Sequence, residues 1–133
     1  MRRESLDTNA LLRLLLNDIP EQTKSARKLI RAAPRRFYVS DVAIAEFAFV
    51  LMRHYKLSRG QIAEMIEGLL SIRELDCNRE LAARTIELFR EHRSLSFEDC
   101  YFAASADYMN AAPLWTFDKD LAKKSPLAKL LPQ

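Results

Sequence analysis

At 133 residues, with 49% hydrophobic and 29% charged side chains, the chain has the length of one domain and an ordinary globular composition, which excludes a disordered or fibrous protein. Its 21 basic and 18 acidic residues leave a net charge of +3, permitting an anionic partner without requiring one. With Gly60 and Gly68 as its two glycines no phosphate-cradling glycine loop can be written, and the separate Cys77 and Cys100 predict reduced thiols in a cytoplasmic protein rather than a disulfide framework.

Residues 3–7 predict a short first strand ending at Asp7, although RRES is more polar than a central parallel strand usually is. From Thr8 the pattern turns helical, with Leu11, Leu12, Leu15 and Leu16 on one face, and stops before Pro20. Arg13 interrupts the apolar run Ala10 to Leu16, so neither export nor a membrane span is expected. Pro20 opens a second helix, to about Ala33. Phe37 to Val39 predict a strand, and Ser40 or Asp41 caps a third helix that runs to about Tyr55. RGQIAEMIEGLLSI has the spacing of a fourth helix, and Arg73 to Cys77 that of a weak strand. Asn78 caps a fifth helix through about His92. Ser96 opens a sixth with the capping-box pattern SFED, ending near Tyr108. Pro113 to Phe117 is a further strand, Leu121 to Lys124 a short helix, and Leu127 to Leu131 an edge strand. Strands alternating with helices predict a single domain over residues 1–133, α/β in class, with a parallel sheet covered on both faces.

Four acids stand where chemistry is expected. LWTFDKDL reads as a buried strand that empties into Asp118 and Asp120, of which Asp120 is the expected cap of the following helix. Asp7 stands where a strand hands over to a helix, and there it, Thr8 or Asn9 caps that helix. Glu46 is the one charged residue between Val42 and Met52, which predicts a carboxylate on a helix buried nearly all round; an arginine partner or an exposed stripe is the alternative. Asp99 fills the third position of the SFED capping box. Ligands of parallel sheets bind beyond the carboxyl ends of the strands, where Asp7 and Asp118 are expected to lie. Clustered carboxylates suit Mg2+ or Mn2+, hard cations that offset their repulsion and assist hydrolysis of a phosphodiester.

The blocks LDTNALLRLLLNDIPEQ, VSDVAIAEFAFVLMRHYKLS, LSFEDCYFAASA and LWTFDKDLA resemble, in order and spacing, the four signature blocks of the PIN domain, in particular of the VapC-type toxins of bacterial toxin–antitoxin pairs. The resemblance implies a three-layer α/β/α sandwich with a central parallel sheet of four to five strands. It also implies a Mg2+ or Mn2+ dependent endoribonuclease acting on RNA, commonly a homodimer, held inactive by a cognate VapB-like antitoxin. Residue by residue it makes Asp7, Glu46, Asp99 and Asp118 the catalytic and metal-holding acids. Asn9 and Thr116 match residues that orient carboxylates or water. RRES and the glycine-free segment Asn110 to Pro113 depart from the pattern.

Lys24, Arg27, Lys28 and Arg31 recur at helical spacing and are candidates for contact with RNA phosphates or with the antitoxin, against the plainer reading of a solvated face. Two rival functions stand beside the nuclease. One is a non-catalytic protein-interaction module with an acidic pocket. The other is a phosphatase of the haloacid dehalogenase type, which ordinarily needs an acid two residues after its nucleophile, where this chain has Asn9.

Overall fold

The computed structural model describes residues 2–32 and 35–132, which divide into two compact units, residues 1–78 and 79–133. The first contains β1 (Arg2–Ser5), α1 (Thr8–Leu15), α2 (Pro20–Arg31), β2 (Arg35–Tyr38), α3 (Asp41–Arg53), α4 (Arg59–Leu70) and β3 (Leu75–Asp76). The second contains α5 (Arg79–Glu91), α6 (Phe97–Tyr108), β4 (Leu114–Thr116), α7 (Lys119–Lys124) and β5 (Ala128–Leu130). The expected end of α2 at Ala33 lies outside the described residues. No helix among the described residues is long and apolar enough to cross a membrane.

All strand pairings are parallel, as expected, but the strands form two sheets, β1-β2-β3 and β4-β5, where one sheet of four to five was expected. The polar composition of β1 now has a reason. β1 is an edge of its sheet and β2 the centre, so the apolar demand falls on Phe37, which is in register with Leu75 and buried with it. β1 meets its neighbours through charge: Glu4 accepts from Arg35 at 3.0 Å, and Arg3 pairs with Asp76 at 2.8 Å while lying over the Tyr38 ring.

In the first unit, α1 turns Leu11 and Leu12 inward, and α3 buries Ala43, Ile44, Phe47, Ala48 and Leu51. Thr23 on α2 donates its hydroxyl to the Leu16 carbonyl at 2.8 Å, tying α2 to the end of α1. The expectation that α3 is buried nearly all round is corrected: Val42 is 74% exposed, and Phe49, Met52 and Glu46 are exposed too. A largely apolar helix sequence does not say how many sides find a neighbour.

In the second unit, α5 and α6 pack through Phe89, Phe97 and Tyr101, whose rings meet edge to face at 5.3 and 5.8 Å. α6 ends at Tyr108, and Asn110, two residues beyond, has a φ of 53°, a left-handed conformation that often follows a helix and that asparagine tolerates. β4 is not the buried strand expected: Leu114 and Thr116 are half-buried, while Trp115 and Phe117 are exposed.

Candidate active site

β1 and β2 end side by side, with Ser5 in register with Tyr38 and the Leu6 amide donating to the Tyr38 carbonyl at 3.0 Å. Each strand then passes into a helix. From β1 the chain enters α1 through Asp7, whose Oδ1 accepts from the Ala10 amide at 2.9 Å, making Asp7 the cap among the alternatives Asp7, Thr8 and Asn9. From β2 it enters α3 through Ser40, whose hydroxyl accepts from the Ala43 amide at 3.1 Å. The Thr8 hydroxyl donates to the Ala43 carbonyl at 3.3 Å and so joins the start of α1 to the start of α3.

This joint brings Asp7 and Glu46 together. Both line an open cleft of about 550 Å³ with Ser5, Thr8, Ser40 and Val42, at the carboxyl ends of two adjacent parallel strands. The lining contains no lysine or arginine, and Glu46 makes no ion pair among the described residues. Two carboxylates facing one cleft without a basic partner are a donor set of the hard-oxygen kind that divalent cations prefer.

The other two predicted acids lie in the second unit. Ser96 caps α6 by accepting from the Asp99 amide at 3.0 Å, but Asp99 makes no return bond to the Ser96 amide, so the expected capping box is half formed. Aspartate is one methylene shorter than the glutamate or glutamine that closes such a box. A complete box occurs instead at Ser58 and Gln61, at the start of α4. The released Asp99 carboxylate is half-buried. Asp118, and not Asp120, caps α7: its Oδ1 accepts from the amides of Asp120 and Leu121 at 3.0 and 3.1 Å. Asp120 lies within the first turn and pairs with Lys124 at 3.0 Å. The Thr116 hydroxyl accepts from the Asp118 amide at 2.9 Å, which holds the turn from strand to helix. Asn9 is exposed on the first turn of α1 and makes no hydrogen bond through its side chain among the described residues.

The PIN domain profile matches residues 5–125, spanning both units and all four acids. The chain belongs to the PIN domain family. No curated protein matches it significantly. As a PIN domain it has a nuclease-type fold, and PIN nucleases generally use divalent metal ions. Among the described residues of this PIN domain, no three His, Cys, Asp or Glu side chains gather into a group able to hold a metal; Asp7 and Glu46 are the predicted pair that shares a cleft.

A second cleft in the first unit, of about 630 Å³, is lined by all four predicted cations, Lys24, Arg27, Lys28 and Arg31, with Asn17 and Thr23. Arg27 donates to the Leu14 carbonyl at 3.4 Å; Lys24, Lys28 and Arg31 make no ion pair among the described residues. The sequence marks Ser40, or Asp41, as a helix cap and gives Ser5 no role in the site. Both line the acidic cleft, and their place at the end of a parallel strand was the available signal.

Proposed function

We propose that this PIN domain is a metal-dependent endoribonuclease toxin of the VapC type, acting in the cytoplasm and neutralised by a cognate VapB-like antitoxin. Asp7, Glu46, Asp99 and Asp118 are its catalytic and metal-holding acids, and Mg2+ or Mn2+ its metal. The observation that carries this reading is the shared cleft of Asp7 and Glu46, free of basic side chains, beyond the ends of two parallel strands. A divalent cation, when bound, supplies polarisation of the phosphodiester and activation of water. The chain's own part is orientation. Asp7 is held by the Ala10 amide through one oxygen, and its other oxygen has no partner among the described residues. Asp118 is held likewise by two amides through Oδ1. Thr116 positions Asp118 through its backbone amide, and Asn9, whose side chain bonds to none of the described residues, is left to orient water at the site. The cations of the second cleft meet RNA phosphates.

The test is cleavage of total RNA by purified, antitoxin-free protein with Mg2+ or Mn2+. We expect cleavage that EDTA abolishes and Mn2+ restores, and a loss of more than about a hundredfold in Asp7→Asn and in Asp99→Asn. Undiminished cleavage by both variants would overturn the mechanism.

The second reading, a non-catalytic interaction module, is favoured by the exposed apolar side chains of α3, Val42, Phe49 and Met52, which suit an antitoxin helix or the second copy of a homodimer. Calorimetry separates the two. Mn2+ binding that weakens in Asp7→Asn supports the nuclease, and no Mn2+ binding supports the module.

A further inference from the structure

LWTFDKDL contains the chain's one tryptophan, and the structure turns it outward. Along β4 the strand alternates Leu114 and Thr116 to the half-buried side and leaves Trp115 51% exposed, and Phe117, at the bend that follows, is 66% exposed. Large aromatic rings in water forgo the burial that would stabilise them, so two of them on one short segment call for an explanation. Around them are charges. Lys129, in register with Trp115 on β5, holds its ammonium 5.8 Å from the ring centroid. Phe117 directly precedes Asp118, and Lys119, exposed and without an ion pair among the described residues, directly follows it.

We infer that Trp115 and Phe117 form a stacking platform for unpaired bases of single-stranded RNA, with Lys129 binding the neighbouring phosphate. This rests on the nuclease reading and deepens it by naming residues that position the RNA strand beside Asp118. Unstacked bases present π-faces to aromatic side chains, whereas in an A-form duplex those faces are occupied by neighbouring bases. The charge pattern matches the ligand, ring for base and ammonium for phosphate. An exposed cation–π contact is weaker than a base–aromatic stack, so an arriving base displaces Lys129 from the ring and leaves it free for the phosphate. A protein partner fits less well. Asp118, Lys119 and Lys129 stand beside the two rings, whereas the centre of a protein interface is depleted of charge.

Trp115 is its own reporter, since no other tryptophan contributes fluorescence. The protein is titrated in EDTA, to prevent cleavage, with a short oligouridylate, whose bases are little stacked on one another. A duplex RNA and inorganic polyphosphate serve as comparisons. We expect saturable quenching by oligouridylate and little by the other two. Trp115→Leu should weaken oligouridylate binding, followed by anisotropy of a labelled strand, about tenfold or more, with Trp115→Phe retaining most of the affinity. Phe117→Leu and Lys129→Ala test the rest of the platform, and circular dichroism confirms the fold of each. The platform is overturned by any of three results: equal quenching by duplex or polyphosphate, undiminished binding by Trp115→Leu and Phe117→Leu, or an emission change with protein concentration alone that marks a second copy on this face. Oligouridylate that does not bind at all overturns it equally. The nuclease reading is judged separately, by the Asp7→Asn and Asp99→Asn cleavage assay.

Discussion

At Asp118 one side chain serves two purposes through two oxygens. Oδ1 accepts two backbone amides at the start of α7, and that fixes the direction in which the other oxygen points. Asparagine caps a helix about as well as aspartate, but it lacks the charge that holds a cation. Asp118→Asn is therefore expected to unfold in urea within a few tenths of a kcal/mol of wild type, whereas Asp118→Ala should lose about 1 kcal/mol. RNA cleavage should fall in both by more than about a hundredfold. Full activity in Asp118→Asn would mark the residue as a cap alone. Asp18 offers a different test. The Tyr55 hydroxyl, donating at 2.6 Å, and then Arg13, at 2.7 Å, hold its carboxyl below the ordinary value of 3.8. A folded-state pKa below the unfolded one contributes stability that is complete above 3.8 and is lost as pH falls through the lower, folded value. Tyr55→Phe removes the larger cause, so urea midpoints measured across the acid range should fall less steeply in the variant than in wild type.

The elements divide between those that hold the fold and those that decorate it. Phe37 occupies the centre of the three-stranded sheet, 1% exposed, while the Arg35–Glu4 pair beside it is about one third exposed at each partner. A pair so open to water is worth less than about 1 kcal/mol after screening, whereas removing a buried phenylalanine costs about 3–5 kcal/mol. Denaturant unfolding is expected to show that order for Arg35→Ala and Phe37→Ala, and a reversal would mean that the edge strand, not the central one, carries the sheet. The helix starts follow a common logic. Asp7, Ser40, Ser58, Ser96 and Asp118 each cap a helix through a side-chain oxygen, and Asp7, Ser40 and Asp118 do so where a parallel strand ends. Most of these caps are legible in the sequence, because serine or aspartate before an apolar-periodic run is a local signal. That Asp118 rather than Asp120 is the cap was not legible, since either residue can cap and the first turn of α7 could have begun two residues later.

For the whole molecule, the net charge of +3 says little, but its distribution says more: four cations meet in one cleft of the first unit. Binding of single-stranded RNA should weaken with salt, and the slope of log K against log salt should fall by about 0.7 for every phosphate that the protein no longer neutralises. Replacing Lys24, Lys28 and Arg31 by glutamine is expected to reduce both the affinity and that slope, read by fluorescence anisotropy across a salt series. If RNA binding were unchanged and antitoxin binding weakened, the cleft would belong to the antitoxin.

The sequence alone determined the order and kind of the elements, the handover from strand to helix at Asp7 and at Ser40, and the family, because these depend on periodicity, caps and motifs that are local in the chain. Burial and neighbourhood were decided by the tertiary structure. The apolar run of α3 promised a buried Glu46, and LWTF promised a buried strand, yet both leave large apolar side chains in water. Local pattern says which side chains can be buried; which side meets a neighbour depends on packing between distant segments. The Thr8 hydroxyl reaching the Ala43 carbonyl joins two such segments, and it is this joint that places Asp7 and Glu46 on one cleft.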